Sequence, residues 1–173
     1  MKALLIAAFL GLAAATTLRA EDAKLVVGQF TFALPAPWKQ AENTGMMTKA
    51  IVNYQVEGGS KLEAKYYDFG GPSGGVEANI KRWIGQFEGT PEVKREDLEK
   101  NGTKIALLTA TGTFLDGAPM SPQKTPRPGY TMLGAVLEGS DSSCFIKLTG
   151  PKDDVAKMQE AFKKMALSPF EAK

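Results

Sequence analysis

The side chains that could do chemistry are limited by two counts. The chain of 173 residues has no histidine and one cysteine, Cys144. Without histidine there is no Ser-His-Asp or Cys-His pair, no imidazole metal ligand and no ordinary proton shuttle at neutral pH. One cysteine can form neither an intramolecular disulfide nor a structural zinc site. What remains is carboxylate, lysine or tyrosine chemistry, oxygen-ligated metals, or no chemistry at all.

Cys144 is predicted to be structural. It alternates with Ile146 and Leu148 on one face of a predicted strand, and a buried free cysteine behaves as a small hydrophobic residue. A nucleophilic cysteine would need an exposed, cationic setting and usually a histidine. Intermolecular disulfide pairing in an oxidising compartment is the other option.

The carboxylates are scattered along the chain and form no acidic cluster. Asp153 and Asp154 resemble a pair of calcium ligands, but no Asp-rich loop follows them. The start of a helix explains both residues, since acidic side chains favour the first turn. We therefore expect no catalytic residues, no metal and no cofactor.

The glycine-rich segment 70–75, GGPSGG, precedes a predicted helix. Helix N-termini bind anions, which makes Gly70, Gly71, Ser73 and Gly74 candidate contacts. The segment lacks both the Gly-Lys-Ser/Thr of a Walker motif and the G-x-G-x-x-G spacing. A flexible turn that lets the helix fold back on the sheet is the favoured interpretation.

The segment 117–129, GAPMSPQKTPRPG, is the most unusual connection. Its four prolines favour extended geometry that can dock a partner, and a connection of this length is often functional or mobile. Lys124 and Arg127 carry its only charges, and Tyr130 follows it. We take these three residues as candidate contacts, although a solvated loop is the favoured interpretation.

Aromatic side chains supply the remaining candidates. Trp83 falls in a helical apolar stripe and is predicted to be core, whereas Trp38 follows the first strand and could lie at a surface pocket. Tyr54, Tyr66 and Tyr67 come from a predicted strand pair. Because Tyr66 and Tyr67 point to opposite faces, an aromatic platform for a ligand is only weakly indicated.

Alternating apolar residues and turn signals predict the strands that would position these side chains. The predicted strands are 25–35, 50–56, 61–69, 93–100, 103–116, 130–138 and 143–150. The charged strand 93–100 is expected at an edge, and Asn101-Gly102 predicts a hairpin turn. The strands 103–116 and 130–138 are apolar on both faces and are expected to be central.

Two helices complete the predicted elements. The first places Val76, Ile80, Trp83, Ile84 and Phe87 on one face and ends at 89–91. The second begins at Pro151 and carries a buried stripe of Val155, Met158, Phe162 and Met165. The pattern predicts an α+β domain, with a twisted, mainly antiparallel sheet flanked by two main helices.

The N-terminus has the pattern of a secretory signal peptide. Lys2 precedes the uncharged run 3–18, and this run is short for a membrane span. We expect cleavage after Ala20, with Ala15 as the alternative site and an uncleaved anchor as the alternative interpretation. Cleavage after Ala20 would leave one domain, 21–173, and lower the formal net charge from +2 to zero. A neutral mature chain argues against nucleic-acid binding and against general attraction to anionic membranes.

Several segments resemble a known family. The run 69–89, FGGPSGGVEANIKRWIGQFEG, resembles a segment of a family of uncharacterised bacterial exported proteins, as do TGTF (111–114), YTMLGAVLE (130–138) and FIKLTGP (145–151). The order of elements and the F-x-L-P…W start are similar to the PsbP-like fold of the extrinsic photosystem II subunit and a Ran-binding nuclear import factor. The resemblance implies an antiparallel sheet between helices, an α/β/α sandwich, and an accessory or binding role, but no activity and no catalytic residues.

These observations favour an exported, periplasmic or secreted protein that is not an enzyme. We expect it to bind a partner protein or assist an envelope assembly, without stable membrane insertion after signal cleavage. The alternative is a small-molecule-binding protein or a carboxylate-dependent enzyme, with a pocket between sheet and helix lined by tyrosine or tryptophan.

Overall fold

A seven-stranded antiparallel sheet and a separate two-stranded hairpin carry the fold. The computed structural model describes residues 22–43, 45–70, 75–118 and 121–171, so the expected signal peptide, 1–20, lies outside the described residues. The strands are β1 (Ala23–Val27), β2 (Phe30–Leu34), β3 (Lys39–Ala41), β4 (Ala50–Gln55), β5 (Lys61–Asp68), β6 (Phe87–Lys100), β7 (Thr103–Asp116), β8 (Thr125–Glu138) and β9 (Ser143–Pro151). The helices are α1 (Gly75–Ile84), α2 (Lys152–Leu167) and the short 3₁₀ helix η1 (Ser168–Phe170).

The strand order of the large sheet is β3-β4-β5-β9-β8-β7-β6, and each neighbouring pair is antiparallel. The predicted α+β class and mainly antiparallel sheet are therefore confirmed. β6 lies at one edge, as its charges predict, and β7 and β8 have neighbours on both sides. Asn101 and Gly102 both have positive φ, 52° and 76°, in the predicted turn between β6 and β7.

The first face of the sheet is covered by α2 and by the β1–β2 hairpin. Alternation along β5 and β9 points Tyr66 and Ile146 to this face, where they pack with Phe32, Met158 and Phe162. All five side chains are buried. Each contributes about 1.5–3 kcal/mol through burial, so this core supplies most of the apolar stabilisation.

The second face is covered by α1, mainly over β6, β7 and β8. Ile80 and Trp83 of α1 pack with Met132, Val136 and Phe145 in a separate buried cluster. Trp83 lies so close to β8 that a Cβ on Gly134 would come within 2.4 Å of its ring. The same face of β5 and of the end of β9 is left without a covering helix.

One predicted strand is wrong at a turn, and one short strand is missing from the prediction. The run 25–35 is a hairpin rather than one strand: it turns at Gly28, whose φ is +57°, and pairs Val27 with Phe30. The buried positions change from odd numbers, Leu25 and Val27, to even numbers, Phe30, Phe32 and Leu34, at this turn. Val26 is also apolar, so the apolar run hides the change of phase. The short strand β3 was not predicted.

The first helix also ends earlier than its apolar stripe predicts. Helical hydrogen bonding ends at Ile84, and Phe87 is the first residue of β6. Gly89 and Pro91 lie within this strand, where the register with β7 shifts between Glu88 and Glu92. A β-bulge accommodates the extra residues, so Phe87 joins the same core from a strand.

The proline-rich segment is partly a strand. Thr125 to Gly129 form the start of β8 and pair with β7 alone, since β9 joins β8 only from Tyr130 onward. A strand with one neighbour tolerates proline when the missing N–H faces the open side. The predicted loop 117–129 is therefore shortened to the residues before Thr125.

Candidate functional site

A depression of about 590 Å³ opens on the part of the second face that α1 leaves uncovered. Its base is formed by β5 and β9, and the end of β7 closes one side. We call it the lysine depression, and its charged residues are Lys61, Glu63, Lys65, Asp116 and Lys147.

The strand register places two lysines directly opposite each other in this depression. Lys65 of β5 pairs with Lys147 of β9, and Gly134 of β8 is the neighbour of Lys147 on the other side. Like charges directly opposite on neighbouring strands are destabilising. Such a local cost within a regular sheet is typical of a functional site.

Lys147 is held in a defined position by uncharged groups. Its Nζ donates a hydrogen bond to Oε1 of Gln86 and lies 5.0 Å from the centre of the Phe114 ring, a cation–π contact. The backbone N–H of Leu115 donates to the Gln86 carbonyl oxygen at 2.8 Å, which ties the turn after α1 to β7. Within the described residues, no carboxylate lies in ion-pair contact with Lys147.

Burial lowers the pKa of Lys147 from 10.5 to about 8, and repulsion from Lys65 adds to this shift. Asp116 opposes the shift, and Lys124 contributes a further small lowering. The ammonium group is thus charged at neutral pH in an environment that disfavours its charge. An anion placed beside Lys147 and Lys65 would remove much of this cost.

The depression continues into an aromatic group. Two residues beyond the lysine pair, Tyr67 of β5 pairs with Phe145 of β9. The ring of Phe69 stacks on Tyr67 with centroids 6.1 Å apart, and lies 5.8 Å from Phe145. Burial raises the pKa of Tyr67, and a side-chain hydrogen bond with Thr48 acts in the opposite direction.

Two candidates from the proline-rich segment lie beside the depression. Nζ of Lys124 donates to the carbonyl oxygen of Ala118, which lines the depression. Arg127 pairs with Asp116, with Nε and Oδ2 3.4 Å apart and both side chains about half exposed. Tyr130 lies further along β8, opposite Gly112 and Pro151, and packs against the second-face core.

The other candidates are less involved. The N–H of Gly70 donates to Oδ1 of Asp68 at 2.8 Å, while Gly71, Ser73 and Gly74 lie outside the described residues. Trp38 is not at a surface pocket: it is 4% exposed and packs edge-on against Tyr54, with centroids 4.9 Å apart. The turn at Pro35 and Pro37 directs its ring into the first-face core instead of outward.

Sequence reasoning missed Lys65, Lys147 and Phe114. A single signal was present: Lys147 is the one charge in the run from Ser143 to Gly150, where its neighbours are apolar or small. The pairing of β5 with β9 joins strands that are distant in the sequence, so the lysine pair itself could not be read from spacing.

Other features of the described residues point to no chemical centre. Cys144 is buried as predicted, and burial raises the pKa of its thiol. No group of three acidic or cysteine side chains in the described ranges is arranged to hold a metal ion. Neither α1 nor α2 is long and apolar enough to cross a membrane.

A second depression, of about 790 Å³, lies between β2, the β6–β7 turn and η1 and is larger than the lysine depression. Its charged lining residues, Asp22, Lys24 and Glu171, are of both signs. They do not converge on a half-buried charge as those around Lys147 do.

Comparison with known proteins gives a fold and no family. No protein-family model matches the chain, and no curated protein matches it by sequence. Among solved structures it is similar to the solution structure of cyanobacterial PsbP (CyanoP) from Synechocystis sp. PCC 6803, with a TM-score of 0.55 and 15% identity over 92% of this chain and 96% of that one. It is also similar to the protein of unknown function PA94 from Pseudomonas aeruginosa, with a TM-score of 0.50 and 14% identity over 88% of this chain and 98% of that one. At these identities the likeness concerns architecture alone, and the chain has a PsbP-like fold.

Proposed function

We propose that this chain is an exported, non-catalytic binding protein that holds an anionic group of its ligand in the lysine depression. The observation that carries the proposal is Lys147, which is half-buried opposite Lys65 with no carboxylate in contact among the described residues. An anion bound there would accept charge-assisted hydrogen bonds from both ammonium groups.

The size and surroundings of the site support a ligand rather than a catalytic role. A volume of about 590 Å³ lies within the range of small-molecule sites. Gln86 and Phe114 restrain the lysine that an anion would meet, so little side-chain freedom is lost on binding.

Thermal unfolding of the chain in the presence of acetate or inorganic phosphate tests the site, with ionic strength held constant by sodium chloride. We expect saturable stabilisation of the wild type and its loss in Lys147→Met and Lys65→Met. The control is Lys157→Met, which removes the same charge from an exposed position on α2. An equal response of Lys147→Met and Lys157→Met would contradict the proposal.

Export rests on the apolar run 3–18 and is tested separately. Mass spectrometry of the expressed protein should find Glu21 as the first residue in an extracytoplasmic fraction. Intact Met1 in the cytosol would contradict export without affecting the binding site.

A partner protein of the cell envelope is the second candidate for what this chain binds. The exposed Met46 and Met47, in the connection between β3 and β4, favour it, because exposed methionine is common at protein-binding surfaces. Pull-down from an envelope extract should recover a stoichiometric partner with the wild type and lose it with Met46→Ser/Met47→Ser. A small molecule that co-purifies with the chain, and no such partner, would favour the first candidate.

A further inference from the structure

We infer that the ligand of the lysine depression is a small aromatic monocarboxylic acid, with its carboxylate at Lys65 and Lys147 and its ring against Tyr67 and Phe69. This inference rests on the proposed function, because it names the chemical class of the ligand for the same site.

The spacing of two cross-strand pairs supports a short ligand. Lys65 faces Lys147, and Tyr67 faces Phe145 two residues further along both strands. Both pairs lie on the same face, since side chains alternate with a period of two. Two residues of strand span about 7 Å, so one small molecule can contact the cationic pair and the aromatic pair together.

The exposed ring of Phe69 lies beside the aromatic pair. Phe69 is 53% exposed although its ring stacks on Tyr67, at an angle of 21° between the ring planes. A large apolar side chain left open next to a buried aromatic cluster is a surface on which another ring can pack. Because Tyr67 packs against the buried second-face core, its ring is held in place before a ligand arrives.

The acids of the depression restrict the charge of the ligand. Glu63 lies two residues before Lys65 on the same face of β5, away from the aromatic rings, and Asp116 lies on the β7 side. A second carboxylate directed toward Glu63 or Asp116 would be repelled by that group. One negative charge at one end of the molecule, with an uncharged aromatic remainder, fits the arrangement better than a dicarboxylate or a polyphosphate.

Calorimetric titration of the chain with 2-naphthoate, cyclohexanecarboxylate and acetate, at pH 7 and constant ionic strength, tests the inference. We expect 2-naphthoate to bind at least 10-fold more tightly than acetate, and more tightly than cyclohexanecarboxylate. Phe69→Ala should weaken 2-naphthoate binding about 2- to 10-fold and leave acetate binding unchanged. Val26→Ala, which trims an exposed apolar residue of β1, is the matched control and should change neither.

The possible outcomes separate the inference from the proposed function. If acetate binds in a manner that requires Lys147 but 2-naphthoate binds no more tightly, the aromatic assignment is wrong and the anion site stands. If Phe69→Ala keeps full affinity for 2-naphthoate, the ring position is wrong. If none of the three acids binds, both the inference and the proposed function are overturned.

Discussion

The two faces of β5 differ in their side chains and in the elements that cover them. Leu62 and Tyr66 point to the first face and are fully buried beneath α2 and the β1–β2 hairpin, whereas Lys65 and Tyr67 point to the second face and line an open depression. The first face is apolar and closed by two elements. The second places like charges side by side in a strand pair. We infer that the first face provides stability and that the second gives up some of it to hold a ligand.

The hydroxyl groups of the adjacent Tyr66 and Tyr67 show the same contrast between the faces. The hydroxyl of Tyr66 is buried without a hydrogen-bond partner among the described residues, and burial raises its pKa well above 10. The hydroxyl of Tyr67 is bonded to Thr48. Apolar packing evidently outweighs one unsatisfied hydroxyl on the first face, while the hydroxyl on the second face has a polar neighbour.

Truncating one phenylalanine on each face should give the largest difference in stability between two variants. Phe32 is completely buried and packs edge-on against Tyr66, with centroids 5.1 Å apart. Phe32→Ala should lower the free energy of unfolding by about 3–5 kcal/mol, because it removes buried area and leaves a cavity. Phe69→Ala, on the exposed side, should lower it by less than about 1 kcal/mol. Urea denaturation measures both.

A comparable loss of stability in the two variants would contradict the division of roles between the faces. Leu167→Ala, at the half-buried end of α2, serves as a reference and should fall between them.

Removing the charge of Lys147 should stabilise the protein at neutral pH. Burial holds the pKa of Lys147 at about 8, below its ordinary 10.5, so the folded state bears the cost of this charge wherever the lysine is protonated. Lys147→Met should therefore raise the free energy of unfolding by about 1–3 kcal/mol at pH 6 to 7. Denaturation curves of the variant and the wild type provide the measurement.

The stability difference between Lys147→Met and the wild type should depend on pH. Between pH 8 and 10.5 the unfolded chain binds more protons at Lys147 than the folded chain does, so the stability of the wild type rises across that window relative to the variant. The advantage of Lys147→Met should thus be full below pH 8 and decrease toward pH 10.5. A constant advantage over this range, or an advantage shared by Lys157→Met, would show that the charge is not the cause.

The smallest effects are expected from the two tyrosine hydroxyls. Tyr66→Phe removes a buried group that has no partner and should leave stability unchanged or raise it by about 1 kcal/mol. Tyr67→Phe loses the hydrogen bond with Thr48 and should lower stability by about 0.5–1.5 kcal/mol. In a thermal unfolding experiment, stability changes of opposite sign in the two variants would support the difference between the faces. Equal losses of stability would contradict it.

Local patterns predicted much of the fold. Asn101-Gly102 marks its turn because both residues adopt positive φ, and Val155, Met158, Phe162 and Met165 are buried on α2 as their spacing predicts. The errors lie where one pattern fits two structures. Phe87 continues a helical stripe yet begins a strand, and the prolines of β8 look like loop residues until the missing neighbour on one side is known.

The candidate site was much less accessible to sequence reasoning. Lys124 and Arg127 are candidates because they belong to a proline-rich segment, and they lie beside the depression. The pair at its centre, Lys65 and Lys147, depends on a pairing between distant strands and on a half-covered face. Neither the strand pairing nor the incomplete cover can be predicted from the local spacing of residues.

The pairing of β5 with β9 also has a consequence for the order of folding. β6, β7, β8 and β9 follow one another along the chain and along the sheet, so these hairpins close short loops and are expected to form early. β5 can pair with β9 only by closing the long loop that contains α1, β6, β7 and β8, at a larger entropic cost. Lys65 and Lys147 meet across this last junction. A ligand that bridges these two lysines would bind only molecules in which β5 has paired with β9. It would also slow the separation of these two strands.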